Sequence, residues 1–377
     1  MSAEHPFRVV IAGGGIAALE AALALRDLAG ERLALALVAP NAEFSYRAMS
    51  VREPFAYGAA NRYSLAEIAG DIGAELIVDS FAGVDSEKRV AHTEGAVELA
   101  YDALVLGIGA RTRAVSAHAL TVDDRRMDEL LHGIVEDVEA GYVRSLAFIA
   151  PGPMGWPLPI YELALMTARR AYDANVQVEI TVVTPEATPL AIFGDQASQA
   201  VAKLLRDGGI VTIASATAEV PSAGNVVIDP GERRLHVDRV IALPQLFGPA
   251  VRGLPGDEHG FIPVDPYGQV RGVPRVYAAG DATDFGVKHG GIAAQQADTV
   301  AQSIAALAGA PVTPAAFQPE IHGTLLTGGK PVYLTARITG GHGFSSQITD
   351  QPTWTPPVKI AARYLAPYLD QRDRAAR

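Results

Sequence analysis

The chain has 377 residues, more than one ordinary core holds, so two or three domains are expected. Hydrophobic residues make up 49% and charged residues 19%, a globular rather than a disordered composition. With 42 acidic against 31 basic residues the formal charge is −11, which repels a phosphate backbone and argues against nucleic acid as a partner; the absence of cysteine excludes disulfides, thiolate-held clusters and a thiolate nucleophile.

The first residues, MSAEHPFR, show no basic region ahead of an apolar stretch, so no signal peptide is expected and the chain reads as cytoplasmic. The apolar run from Val9 to Leu25 is broken by Gly13, Gly14 and Gly15 and carries Glu20, so it reads as a buried strand and helix and not as a membrane span. Phe7 to Ala12 predicts a buried parallel strand, Ile16 to Leu28 a helix, Leu33 to Val38 a second strand and Tyr101 to Leu106 a third. The pattern then restarts. Ser145 to Ala150, Val178 to Val183, Ile210 to Ala214 and Arg239 to Leu243 predict strands. Pro159 to Tyr172 and Ala197 to Arg206 predict helices, the second stopped by Gly208 and Gly209. Val276 to Ala279 predicts another strand and Gly291 to Leu307 a long helix. Beyond Pro311 the pattern weakens to a strand over 332–338 and a short helix over Lys359 to Leu369, interrupted by Pro367. The fold class is therefore α/β, with two Rossmann-like units and a small C-terminal segment.

Gly13-Gly14-Gly15-Ile16-Ala17-Ala18 fits G-x-G-x-x-A between a strand and a helix. Gly13 allows the tight turn, Gly15 lets the backbone approach a pyrophosphate, and Ala18 permits close packing of helix on strand. Ala17 lies in the helix's first turn, where free N–H groups and the dipole favour negative charge. The acid that usually ends the second strand and binds ribose is missing, and Ala39-Pro40-Asn41 stands there. Asn41 or backbone groups take that role, which makes Pro40 and Asn41 candidate contacts.

Two further motifs follow: Gly107-Ile108-Gly109-Ala110 after the third strand, and Gly280-Asp281 after the late one. With the first motif they are in the order found in flavoproteins with two dinucleotide-binding domains. The chain resembles that superfamily, glutathione-reductase-like in fold, over roughly residues 7 to 310. Within it the chain looks nearest to sulfide:quinone oxidoreductases and type II NADH dehydrogenases. The resemblance implies FAD as cofactor, with Gly280 and Asp281 on its ribityl and phosphate end. Gly107-Ile108-Gly109 occupies the place of the superfamily's Ala-Thr-Gly segment, with the threonine replaced, which makes Gly109 and Ala110 candidate cofactor contacts. It also implies a discontinuous FAD domain over 1–115 and 241–315, a second Rossmann-like domain over 116–240 and a C-terminal capping segment over 316–377.

The segment Lys288-His289-Gly290-Gly291-Ile292 resembles the quinone-reducing branch. A helix starting there, with Gly291 and Ile292 near the flavin and Lys288 beside it, stabilises negative charge on a reduced flavin. Lys288 is thus the first candidate catalytic residue. Arg47, in Phe44-Ser45-Tyr46-Arg47, is a candidate phosphate partner. Where type II NADH dehydrogenases carry a glycine fingerprint, this chain has Pro151-Gly152-Pro153-Met154-Gly155-Trp156-Pro157-Leu158-Pro159. Its prolines remove backbone donors, which weakens the case for NAD(P)H. Trp156 falls where a sulfide:quinone oxidoreductase places a flavin-proximal cysteine, and is the second candidate catalytic residue.

These readings lead to an FAD-dependent oxidoreductase passing electrons to a quinone or similar small acceptor, without dithiol chemistry. The alternatives are an NAD(P)H:acceptor reductase and a non-enzymatic flavin-binding sensor. Partners are a small-molecule donor and acceptor. For the C-terminal segment, packing on the flavin domain or in a homodimer is favoured over membrane-surface contact. No metal ligand set is expected.

Overall fold

The apolar runs become strands buried on both faces, and they pair in parallel because a helix returns the chain between them. The computed structural model describes residues 6–152, 155–339 and 343–375. The first sheet has five strands in the spatial order Val276–Ala278, Ala103–Leu106, Phe7–Ala12, Leu33–Ala39, Ala74–Val78. Every pairing in it is parallel, with Phe7 opposite Leu33 and Val9 opposite Ala103. The second sheet, also parallel, runs Leu120–Thr121, Arg239–Ala242, Ser145–Ile149, Glu179–Val183, Ile210–Ile213. A strand from sequence position 276 thus completes the sheet begun at position 7.

The helices, in chain order, are α1 (Ile16–Ala29), α2 (Leu65–Asp71), α3 (Met127–Glu139), α4 (Leu158–Asp173), α5 (Asp195–Asp207), α6 (Gly290–Leu307) and α7 (Leu365–Ala375). α1 and α6 lie side by side on the first sheet. Ala21, Ala22, Ala297 and Ala301 share one core with Leu19, Leu25 and Ile304, and their small side chains allow the two helices to approach closely. A second core joins the other sheet to the C-terminal antiparallel sheet of Glu320–Leu325, Val332–Thr339 and Gly343–Thr349. Phe193, Tyr161, Ile292, Ile321 and Leu334 meet there.

The predicted C-terminal helix needs correction. Residues 359–364 are not helical, and α7 begins at Leu365. Pro367 is the third residue of that helix, where a proline costs no hydrogen bond, so it starts the helix and does not interrupt it. Glu20 supplies the reason for the start. Its carboxylate has no exposed surface and accepts the Tyr364 N–H at 2.9 Å and the Leu365 N–H at 2.6 Å. Ile360 N–H donates to the Tyr46 hydroxyl at 2.8 Å. Arg372 pairs with Asp71 and Glu67, and Arg374 with Asp370. The basic residues of this segment therefore face acids of the protein, and α7 packs on the first domain with Leu365 and Leu369 inward. Arg377, also in this segment, lies outside the described residues. Among the described residues no helix is long and apolar enough to cross a membrane.

Replacing Glu20 with alanine leaves two buried N–H groups without an acceptor, at about 1–3 kcal/mol each. The expected result is a loss of about 2–5 kcal/mol in urea unfolding, with trypsin cutting first at Arg363. Stability within about 0.5 kcal/mol of the parent would show that this clamp does not hold the C-terminal segment.

Candidate functional site

The first strand ends against the third at a turn that only glycine makes. Gly13 has φ +123°, and a Cβ there would lie 2.2 Å from the Gly107 carbonyl oxygen. Gly107 in turn leaves room for α1, since its own Cβ would come within 2.8 Å of Ala18 N. α1 follows with Gly15 at its cap and no side chain on its first N–H groups. Nothing stands within 4 Å of the Gly15 Cβ direction, nor of Gly109. Free helix N–H groups next to open space form an anion cradle.

Gly280 reaches the same place from the late strand. Its φ is +78°, and its Cβ would meet Ala17 at 3.2 Å and Ala293 at 3.1 Å. Gln296 braces this turn, accepting the Gly280 N–H at 2.7 Å and donating to the Thr283 hydroxyl at 3.4 Å. Gln295 instead binds the Glu320 backbone through both amide atoms, at 2.7 and 2.9 Å, and so pins the C-terminal sheet to α6. Asp281 is pushed up to about 6 by burial, against the pull of the Lys288 charge.

Lys288 is 8% exposed. Its ammonium donates to the Thr283 carbonyl at 2.5 Å and sits 3.8 Å from the centre of the Phe261 ring. Burial draws it down to about 8, opposed by Asp281. Its N–H binds the Gly155 carbonyl at 3.1 Å, so the proline-rich loop packs directly on this segment. Pro153 and Met154 of that loop lie outside the described residues. Trp156 stacks on His289 at 4.3 Å and meets Phe193 edge-on at 5.8 Å.

The remaining predicted residues are placed as follows. Pro40 and Asn41 are exposed at the end of the second strand, and Arg47 lies 3.7 Å from Asp124. Ala110 is half-buried beside Gly109. The Ile292 side chain is in the core, and Gly291 leaves room for the His289 ring, whose Cε1 would be 2.9 Å from a Cβ. These last two offer backbone only. The structure thus gathers Gly13, Gly15, Ala17, Ala18, Gly280 and Asp281 around one cradle, with Lys288 and Trp156 at its far end.

Sequence reading missed a buried polar cluster beside that far end. Glu162 of α4, with no exposed side-chain surface, meets Lys359 at 2.7 and 2.8 Å and accepts the Leu326 N–H at 2.9 Å. Burial pushes Glu162 up and Lys359 down, and their attraction opposes both shifts. His289, capping α6, is drawn down to about 3 by burial and by the nearby charges of His322 and Lys359. The one sequence signal was a glutamate on an otherwise apolar helix face; its lysine, 197 residues away, left none.

FAD is tested against this architecture by its own requirements. The cradle supplies uncapped N–H groups and space for a pyrophosphate, and α6 begins without an acidic residue in its first turn, so a flavin's negative charge is welcome there. The residues fit.

Comparison with known proteins gives the same direction. Residues 7–297 match the family described as pyridine nucleotide-disulphide oxidoreductase. An NADH dehydrogenase-like protein of Mycobacterium tuberculosis is 25% identical over 290 residues, covering 73% of this chain and 72% of that one. The sulfide:quinone oxidoreductase of Aquifex aeolicus superposes with a TM-score of 0.81 at 16% identity, covering 98% and 90% of the two chains. A ferredoxin reductase of Rhodopseudomonas palustris gives 0.69 at 20% identity, covering 91% and 88%.

The depressed His289 fixes a pH dependence. Its folded form resists protonation, so its contribution to stability is complete above its unfolded value near 6.5 and is lost as pH falls from there toward 3. Between pH 6 and 4 the parent is expected to lose about 1.4 kcal/mol per pH unit more than His289→Gln. Parallel stability curves for the two chains would refute the burial effect.

Proposed function

The chain belongs to the pyridine nucleotide-disulphide oxidoreductase family and is an FAD-dependent oxidoreductase, and on that premise we propose that it takes electrons from NAD(P)H and passes them to a quinone-type acceptor. The observation that carries the acceptor side is the cluster of buried Glu162, Lys359 and His289 side chains with the half-buried Trp156 ring on His289, at the α6 N-terminus. Polar groups buried with an aromatic face suit a small, flat molecule with polar ends. The chain has no cysteine, so the electrons do not travel through a dithiol of this chain.

In this reading the backbone at Gly13, Gly15, Ala17 and Ala18 holds the pyrophosphate, and Gly280 with Asp281 holds the ribityl end. Bound FAD supplies the chemistry, accepting two electrons as hydride and releasing them to an acceptor. Gln296 keeps the Gly280 turn in place. The α6 dipole and the Lys288 charge favour negative charge near His289 and Gly290. Ile360 packs over Gly290, and Gly155 packs on the Lys288 side chain. Domain limits of 1–115 with 241–315, then 116–240 and 316–377, belong to the same reading; the strand at Val276–Ala278 joining the first sheet supports the return, and the strand Arg239–Ala242 of the second sheet carries the crossing two residues past 240.

One observation favours a second donor. Pro157 caps α4 and Pro159 lies in its first turn, so that helix end offers fewer N–H groups to a second pyrophosphate than a glycine turn does. A donor other than nicotinamide is the alternative reading.

Anaerobic mixing of the yellow protein with NADH and NADPH is expected to bleach the flavin band at about 450 nm saturably; no bleaching would assign the electrons to another reductant. Gly15→Val tests the cradle. Its side chain enters open space, so stability should change by no more than about 1 kcal/mol, while flavin content falls at least about tenfold, roughly 1.4 kcal/mol of binding. Full flavin in this variant would remove the cofactor assignment.

A further inference from the structure

Taking a cation out of water is costly unless a partner compensates. Lys288 is buried. Among the described residues its ammonium meets the Thr283 carbonyl at 2.5 Å and the face of the Phe261 ring at 3.8 Å, with no carboxylate paired to it. Burial draws it down only to about 8, so it keeps its charge near neutral pH. It stands two residues before α6, at the far end of the cradle. A cation held there without an acid of its own is available to the negative charge that a flavin gains on reduction.

The room for this side chain comes from the other domain. Gly155 lies in the loop between the strand Ser145–Ile149 and α4, and its carbonyl accepts the Lys288 N–H at 3.1 Å. Its bare Cα faces the stem of the lysine. A Cβ at Gly155 would lie 2.7 Å from Lys288 Cγ and 3.2 Å from Lys288 Cβ, with Leu246 Cδ1 behind at 3.6 Å. The nearest separation is well inside van der Waals contact. The atoms met are at the root of the side chain and not at its free end, so relief requires the whole lysine to turn and its ammonium to leave the Thr283 carbonyl. The surroundings do not yield easily either. Leu246 sits on the short strand Gln245–Phe247, which pairs antiparallel with Arg111–Arg113, so the two crossings between the domains are hydrogen-bonded to each other at this point.

We propose that Gly155 is a positioning residue for the cofactor: its missing side chain lets the Lys288 stem hold the ammonium on the Thr283 carbonyl, where the charge favours the reduced flavin. A loop of the second domain thereby sets the electron affinity of a cofactor that the first domain holds. The inference rests on the place given to Lys288 in the function proposed above, and not on the identity of donor or acceptor. A fixed buried cation raises the flavin's potential, and one that has swung out into water acts on it less.

The midpoint potential of the flavin-loaded chain, measured by photoreduction against reference dyes, needs neither donor nor acceptor. In Gly155→Ala it should fall by the equivalent of about a tenfold change in the ratio of reduced to oxidised flavin, or roughly 30 mV for a two-electron couple. Flavin content should stay within about twofold of the parent. Lys288→Met should lower the potential at least as far, and adding Gly155→Ala to Lys288→Met should lower it no further. An unchanged potential in either single variant, or an equal fall from Gly155→Ala on both backgrounds, would overturn the proposal. A second measurement serves if Gly155→Ala does not take up flavin. Reductive methylation of the full chain, stripped of flavin and read by mass spectrometry, should modify Lys288 at least about tenfold faster in Gly155→Ala than in the parent. Lys359, buried against Glu162, should stay as protected as before. Equal protection of Lys288 in the two chains, or Lys359 reacting in step with it, would overturn the proposal, the second by showing a general loosening. Failure of both nicotinamides to bleach the parent would refute the donor proposed above and leave these comparisons to decide the role of Gly155.

Discussion

A carboxylate with no exposed surface, Glu20, ties the beginning of the chain to its end. It lies in the second turn of α1, the helix that opens with the glycine cradle, and it caps α7 through two backbone N–H groups. Burial pushes it up, and hydrogen bonds from the Tyr364 and Leu365 backbone and from Asp298 of α6 pull it back. One side chain therefore sets three helices against each other. With α7 held, Lys359 and Ile360 fall over the N-terminus of α6, and the site acquires its outer wall. A buried acid is costly unless its lone pairs are satisfied, and the helix start is what satisfies them.

The same economy operates at the far end of the cradle. Glu162 and Lys359 form a buried pair from elements remote in sequence, and Glu162 also accepts a backbone N–H. Replacement by apolar residues would serve stability as well or better. What an apolar pair would not supply is a field in a low-dielectric pocket, where charges act more strongly than in water. His289 sits in the field of Lys359, and the protonation of Lys288 and Asp281, which act on each other, is displaced by burial as well. Such clustering is common where protons and electrons move.

The proline-rich loop shows how a shared fold takes a separate course. The strand Ser145–Ile149 and α4 are placed as a nucleotide-binding unit would place them, yet the loop between them turns toward Lys288 and puts Trp156 on His289. Prolines limit what the loop can donate, and the aromatic ring fills space at the site's edge. The fold is thus one matter and the chemistry of its loops another.

The sequence by itself determined the two parallel sheets, the glycine turn at Gly13 and the late Gly280–Asp281 turn, because buried strands and tight turns leave local marks: apolar runs and glycines at fixed offsets. It also settled that no thiol takes part. It misplaced the last helix, since α7 starts where Glu20 caps it, and a cap supplied from 345 residues away has no local signal. Arg47 read as free to meet a phosphate, and only the fold brought Asp124 beside it. Glu162 with Lys359, and His289 with Trp156, were likewise decided by tertiary structure alone. Each is an ordinary residue in its own segment and becomes chemically distinct only when the packing of remote elements removes water from around it.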